Sequence, residues 1–129
     1  MARNIEVRIN EIPYVGSTAS AKDQVEMLQI ASRCGLLPAI SDNVTPMGVV
    51  ASLAAVDAAN LNRLKVLCLT NGNIVRQSDN VPVAENMFQD EVHNFLGLIG
   101  GVLKENIGPF WQLSGSEKTS PNAAAETQE

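Results

Sequence analysis

Aromatic residues are scarce in this chain: one Trp, one Tyr and three Phe account for 4% of its 129 residues. Its core must therefore be built from Leu, Ile, Val, Met and Ala. Histidine is rarer still, with His93 alone, and the two cysteines, Cys34 and Cys68, sit apart in apolar runs without metal-ligand spacing. A metal site needs more ligands than these three residues offer, so no metal is expected. Both cysteines read as buried thiols of a reducing compartment. Bases are outnumbered: nine Lys and Arg against fourteen Asp and Glu, a net charge of -5. Duplex nucleic acids and anionic membrane surfaces call for the opposite sign, so neither is an expected partner. Long apolar runs are absent too. Phe95 to Leu103 is nine residues, well short of the roughly 20 that span a bilayer. The start, MARNIEVRIN, lacks the apolar stretch of a signal peptide, and the expected location is the cytoplasm.

Catalytic patterns are missing as well. No motif places a serine or cysteine nucleophile beside His93, which reads as a partly exposed residue on a helix. Gly97-Leu98-Ile99-Gly100-Gly101 has neither the Lys-Ser/Thr of a phosphate loop nor a preceding strand, and Asp79 to Asp90 has the wrong spacing for a calcium loop. Scattered pairs such as Asp90-Glu91 read as solvated surface charge. The expectation is a non-enzymatic protein without a cofactor.

What the chain does contain is helical pattern, in a length that suits one domain. The fold class expected is mostly α: a small helical domain over residues 1–113, with a short N-terminal β strand or hairpin, and a disordered polar tail over 114–129. Ile5, Val7 and Ile9 alternate with Glu6, Arg8 and Asn10, the period of a half-buried strand. Asn10 to Pro13 turns it toward a partner strand around Tyr14 and Val15. Gly16 to Ser20 reads as a small-residue turn. Ser20 caps a helix from Ala21 to Cys34, with Asp23 three residues on and Gly35 closing it in the left-handed conformation. Its apolar face is read as Val25, Leu28 and Ser32, flanked by Met27, Ile30, Ala31 and Cys34. Leu36, Leu37 and Ile40 form a buried connector around Pro38.

Thr45 before Pro46 is a helix start. The segment Met47 to Ala59 follows, with Ala51, Ser52, Ala54, Ala55 and Ala58 small enough for a close helix approach. A break is expected near Asp57 or Asn60, both capable caps, and then a Leu-rich helix to Leu69. Thr70 to Asn73 is a turn. Ile74 and Val75 have the composition of a very short strand with no evident partner, and Gln77 to Pro82 reads as polar loop.

The densest apolar stretch is Asp90 to Trp111. Its last element is expected to begin at Phe88, with Val92, Phe95, Ile99, Val102 and Ile107 on one stripe and Leu96 and Leu103 widening it. Glycines 97, 100 and 101 each weaken a helix by about 1 kcal/mol relative to Ala. A second helix packed closely over them would offset that. The helix is expected to stop between Asn106 and Pro109, leaving Phe110, Trp111 and Leu113 as an apolar end. Ser114 to Glu129 has no aliphatic side chain larger than Ala and cannot offset its ordering entropy by burial.

With these segments in place, the chain resembles a phage tail assembly chaperone of the small, tail-module type. The resemblance covers roughly residues 3 to 113. It rests on the opening strand Ile5-Glu6-Val7-Arg8-Ile9-Asn10, the helical region Lys22 to Leu37, the Leu-rich region Met47 to Leu69, and Phe88 ahead of the apolar helix Val92 to Leu103. The end, Glu105-Asn106-Ile107-Gly108-Pro109-Phe110-Trp111, completes it, with Ile107 where such proteins more often have an aromatic and Pro109 outside their usual pattern. The resemblance implies a non-enzymatic role in the host cytoplasm, binding the long, aggregation-prone tape measure protein before the tail tube polymerises. Such chaperones are generally absent from the mature virion, and some are made in two forms by frameshifting.

A helix or groove face of the chaperone would cover the apolar stripes of that partner. Phe95, Ile99, Val102, Phe110 and Trp111 are the candidate contact residues, although the same spacing serves core packing equally well. Met27, Met47 and Met87 are candidates for adaptable contacts, and core is the plainer reading of each. The acidic balance would keep the protein soluble and steer it toward a basic partner. Two other roles fit the same pattern: a virion structural component, such as a head–tail connector or tail completion protein, and a small helical homo-oligomeric adaptor.

Overall fold

A computed structural model describes residues 2–41 and 44–111, with the backbone alone described at Phe110 and Trp111. The chain is mostly helical and opens with an antiparallel β-hairpin. Strand β1 (Asn4–Ile9) pairs with β2 (Ile12–Ser17) from Asn4↔Ser17 to Ile9↔Ile12. The loop is only Asn10-Glu11, both at positive φ (52° and 68°), the backbone of the tight turn that matches strand twist. The turn is two residues shorter than Asn10 to Pro13, because Ile12 and Pro13 already belong to β2. Gly16 and Ser17, expected in a turn, instead extend the second strand.

The sheet has four strands in the order β1-β2-β3-β4. Strand β3 (Val75–Arg76) pairs with Tyr14 and Val15 of β2, and β4 (Val81–Pro82) pairs with β3. The segment without an evident partner thus finds one some sixty residues upstream in the chain, at Val15↔Val75. The end of the expected polar loop becomes the last strand.

Helix α1 (Ala21–Arg33) begins at Ser20, whose hydroxyl accepts from the Asp23 N–H. It ends with Gly35 at φ 72°. The Leu36 N–H reaches the Ala31 carbonyl at 2.8 Å and the Gly35 N–H that of Ser32 at 3.4 Å, closing both orphan carbonyls in the paired C-terminal motif. Met27, Ile30 and Ala31 are buried, but Val25 is 57% exposed, so the inward face is centred a residue or two away from the expected one. A 3-10 turn, Leu37–Ile40, follows and buries Ile40.

Helix α2 (Pro46–Ala54) is capped by Thr45, whose Oγ1 accepts from the Gly48 N–H at 3.1 Å. It stops earlier than Ala59, and Asp57 caps a separate helix α3 (Ala58–Lys65) through the Asn60 N–H. The chain continues as a π turn over Val66–Thr70, which turns three consecutive residues, Leu67, Cys68 and Leu69, into the core. Of the small residues expected to let helices approach, Ser52 is half-buried, while Ala51 and Ala54 in α2 and Ala55 and Ala58 beyond it are exposed.

Helix α4 (Val92–Ile107) is the centre of the molecule and packs chiefly against α2 and β1. Phe88 does not start it. That residue lies in a 3-10 turn, Glu85–Phe88, separated from α4 by Asp90 at φ 68°. Val92 is 66% exposed and lies outside the buried stripe. Tyr14, Phe88 and Phe95 form a row with ring centroids 5.9 Å and 5.5 Å apart, so three of the five aromatic residues tie the sheet to α4. A final 3-10 turn, Gly108–Trp111, follows. The boundary expected at residue 113 and the tail over 114–129 lie outside the described residues.

One buried polar side chain joins the two ends of the fold. Asn106 Oδ1 accepts from the Ala19 N–H at 2.8 Å and from Gln24 Nε2 at 3.2 Å, while its Nδ2 donates to the Val102 carbonyl at 2.9 Å. Every one of these bonds replaces water lost on burial. Nearby, the Arg3 guanidinium donates to the Glu105 carboxylate at 2.9 Å and to its backbone carbonyl at 2.6 Å.

Candidate functional site: an apolar groove along helix α4

Three of the five candidate contact residues are in the core. Phe95 is 6% exposed, and Ile99 and Val102 are fully buried. Phe95 faces Phe88 rather than solvent. A partner could touch these residues only by opening the fold, so they are corrected from contact surface to core. The reason is periodicity: a stripe at three-to-four spacing looks the same whether a neighbour in the same chain or another protein covers it. The side chains of Phe110 and Trp111 lie outside what is described. Of the three methionines singled out, Met27 is fully buried and Met87 half-buried, while Met47 is 80% exposed.

The surface that the fold leaves available is on the other side of α4. There Gly97, Gly100 and Gly101 form the floor of a groove of about 750 Å³. Val7 and Ile9 of β1 make one wall, and Met47, Val49 and Val50 of α2 make the other. Alternation in β1 dictates which of its residues face inward: Ile5, Val7 and Ile9 lie on the core side and Glu6 and Arg8 on the outer side. The groove extends the line of these inward residues past the point where the core ends. Along α4 it runs from Lys104 to His93 and Asn94.

The three glycines are not equivalent. A Cβ on Gly100 would overlap Val49 Cγ1 and crowd Leu53 Cδ1, and one on Gly101 would come within 2.7 Å of Val7 Cγ1. At Gly100 the helix α2 closes directly onto the α4 backbone, as expected, whereas at Gly101 the strand β1 takes that place. A Cβ on Gly97 would meet Ile9 Cδ1 at 3.7 Å and Val50 Cγ2 at 3.8 Å, ordinary van der Waals contact.

Reactive groups do not converge in the groove. His93 is exposed at its end. Burial pushes the Cys68 thiol up to about 12, which keeps it protonated and poorly nucleophilic at neutral pH. Both cysteines are free thiols. Among the described residues no cluster of His, Cys, Asp and Glu could hold a metal ion, and no helix is long and apolar enough to cross a membrane. The arrangement offers shape and apolar surface.

Of the groove residues, only Met47 was picked out from sequence as a candidate contact. Val7 and Ile9 were assigned to a strand and Val49 and Val50 to a helix, but their meeting over Gly97 depends on tertiary packing. The available signal was the glycine cost in α4, which pointed to close packing at all three positions and so concealed the open one. No family model matches the chain, and neither a curated protein nor a solved structure does.

Proposed function

We propose that this chain is a non-enzymatic tail assembly chaperone that holds an apolar helical segment of a phage tape measure protein before the tail tube encloses it. The observation that carries the reading is the groove between β1, α2 and α4, floored by glycine and walled by Val7, Ile9, Val49 and Val50. Helix-in-groove recognition uses this type of surface: a concave apolar channel receives the stripe of an amphipathic helix. The exposed, flexible Met47 at its rim suits a partner that presents many similar stripes. The family resemblance supplies the identity of the partner and the setting in the host cytoplasm.

Co-expression tests it. With this chain present, the tape measure protein of the same phage is expected in the soluble fraction and in a complex with it. Tape measure protein that stays insoluble, or stays soluble without forming a complex, sinks the reading. A virion structural role is the second reading, supported by β1, a six-residue strand at the end of the sheet order whose outer edge can take another strand. Retention of the chain in purified, finished particles would favour it over the chaperone role.

A further inference from the structure

The two ends of the sheet are protected differently. At one end β4 has only two residues and finishes in Pro82, which has no N–H to offer. At the other end β1 has six residues, no proline and an inward face of Ile5, Val7 and Ile9. Among the described residues, α4 packs against β1 and the groove separates β1 from α2.

Hydrogen-bond alternation decides which backbone groups of β1 are left over. On β2, the Pro13 carbonyl accepts from the Gln77 N–H at 3.1 Å and the Ser17 N–H donates to the Gly72 carbonyl at 3.0 Å. Both groups therefore turn away from β1, and their register partners Arg8 and Asn4 turn away from β2. Glu6, midway between those two, does the same. The Thr18 N–H, one step on from Ser17, donates to the Arg3 carbonyl at 2.8 Å, as the alternation requires. Glu6 and Arg8 thus present their N–H and C=O groups at the outer edge, and no backbone hydrogen bond from another described segment reaches them.

A second copy of β1 can meet this edge in few antiparallel registers. Hydrogen-bonded pairs join outward groups to outward groups, so Asn4, Glu6 and Arg8 must pair among themselves. A two-fold axis through Glu6 sets Glu6 against Glu6, and one through Arg8 sets Arg8 against Arg8; like charges directly opposite are destabilising. An axis through Ile5 or Ile9 runs one end of each strand past the other. An axis through Val7 sets Glu6 against Arg8 of the second copy and Arg8 against its Glu6. It also sets Val7 against Val7, and Ile5 against Ile9, on the inward face. Charge and apolar pattern select the same register. Glu6 and Arg8 already pair along the strand at 2.9 Å; across the axis these charges alternate in a ring. Being exposed, they choose the register, while backbone bonds and apolar contacts supply the affinity.

We infer that two copies of this chain associate through their β1 edges, antiparallel, with the two-fold axis at Val7. The inference goes beyond the chaperone role and does not rest on it. A single strand pair is smaller than the standard interface of roughly 1,600 Å², so the dimer exchanges with monomer.

Sedimentation velocity of the full chain over about a hundredfold range of concentration tests it. The wild type is expected to shift from monomer to dimer. Glu6→Arg and Arg8→Glu should each raise the dimer dissociation constant about tenfold, because the axis counts every like-charge contact twice. An equimolar mixture of the two variants should recover dimers, since their strands are then complementary, a result that loss of fold cannot produce. In a Cys34→Ser background, Val7→Cys should cross-link to a second copy on oxidation, because the two positions face each other at a Cα separation of about 4.5 Å. Ile9→Cys should not, as its counterpart lies about 13 Å away along the strand. A wild type that stays monomeric throughout leaves the edge to a strand of another protein and overturns the inference. A dimer unmoved by either charge reversal, a mixture no more associated than its components, or equal cross-linking by the two cysteine variants overturns it as well.

Discussion

Gly97 and Gly100 stand about one turn apart on the same helix, and the space above them is used in opposite ways. Over Gly100 the side chains of Val49 and Leu53 take the place a methyl group would need, while over Gly97 the walls stand at van der Waals distance from a methyl group that is not there. Residue type alone therefore does not say why a glycine sits in a helix. The first is a packing requirement imposed from within the fold, and the second leaves room at the surface.

Substitutions can break this comparison or sharpen it. The largest effect is expected on the opposite face, where Leu98 is fully buried: Leu98→Ala should cost about 3 kcal/mol in urea unfolding, through lost burial and a residual cavity. A cost below about 1 kcal/mol would mean that this face is not the core. Gly100→Ala should destabilise by about 2 kcal/mol, because α2 must shift to admit the methyl. Gly97→Ala should do the reverse and stabilise by about 1 kcal/mol through helix propensity. Equal signs for the two glycine variants would erase the distinction between them.

The smallest effect concerns pH and lies away from α4. The Glu26 carboxylate accepts hydrogen bonds from the Arg63 guanidinium, one of them at 2.8 Å, which holds its pKa below the ordinary 4.5. Asp57, bonded to Asn60, and Asp79, bonded to Arg76, are likewise lowered from 3.8. A group lowered on folding contributes stability that is fully present above its ordinary value and disappears as the pH falls through its folded value. The urea midpoint should therefore be flat from neutrality to about pH 5 and decline below about pH 4.5. Arg63→Met should flatten that decline slightly, since these groups are exposed and screened.

Local chemistry made much of the fold legible. Ser20, Thr45 and Asp57 are caps because their side-chain oxygens accept from backbone donors three residues on, and Gly35 supplies a positive φ; none of these depends on the rest of the chain. Alternation at Ile5, Val7 and Ile9 likewise shows in six residues. Strands β3 and β4 were not legible because two residues carry no period, and their existence depends on pairing with Tyr14 and Val15 far upstream. Val25 and Val92 were assigned to apolar faces by periodicity, but the fold leaves both exposed. Phe88 was joined to α4 because nothing in its vicinity announces that Asp90 adopts a left-handed conformation. For the candidate site the failure was instructive: Phe95, Ile99 and Val102 are the most apolar part of α4, and for that reason the fold uses them itself. The groove is made of less conspicuous residues, brought together by three elements that are distant in sequence.

The tie between the ends of the fold has a consequence for synthesis. Arg3 meets Glu105 across 102 positions and Ala19 meets Asn106 across 87, so a nascent chain on the ribosome can form its hairpin early but has no central helix to lay it on until almost all of the domain has been translated. A ribosome stalled before residue 92 should therefore display a loosely organised, protease-sensitive chain, with Ile5 and Tyr14 still waiting for their cover.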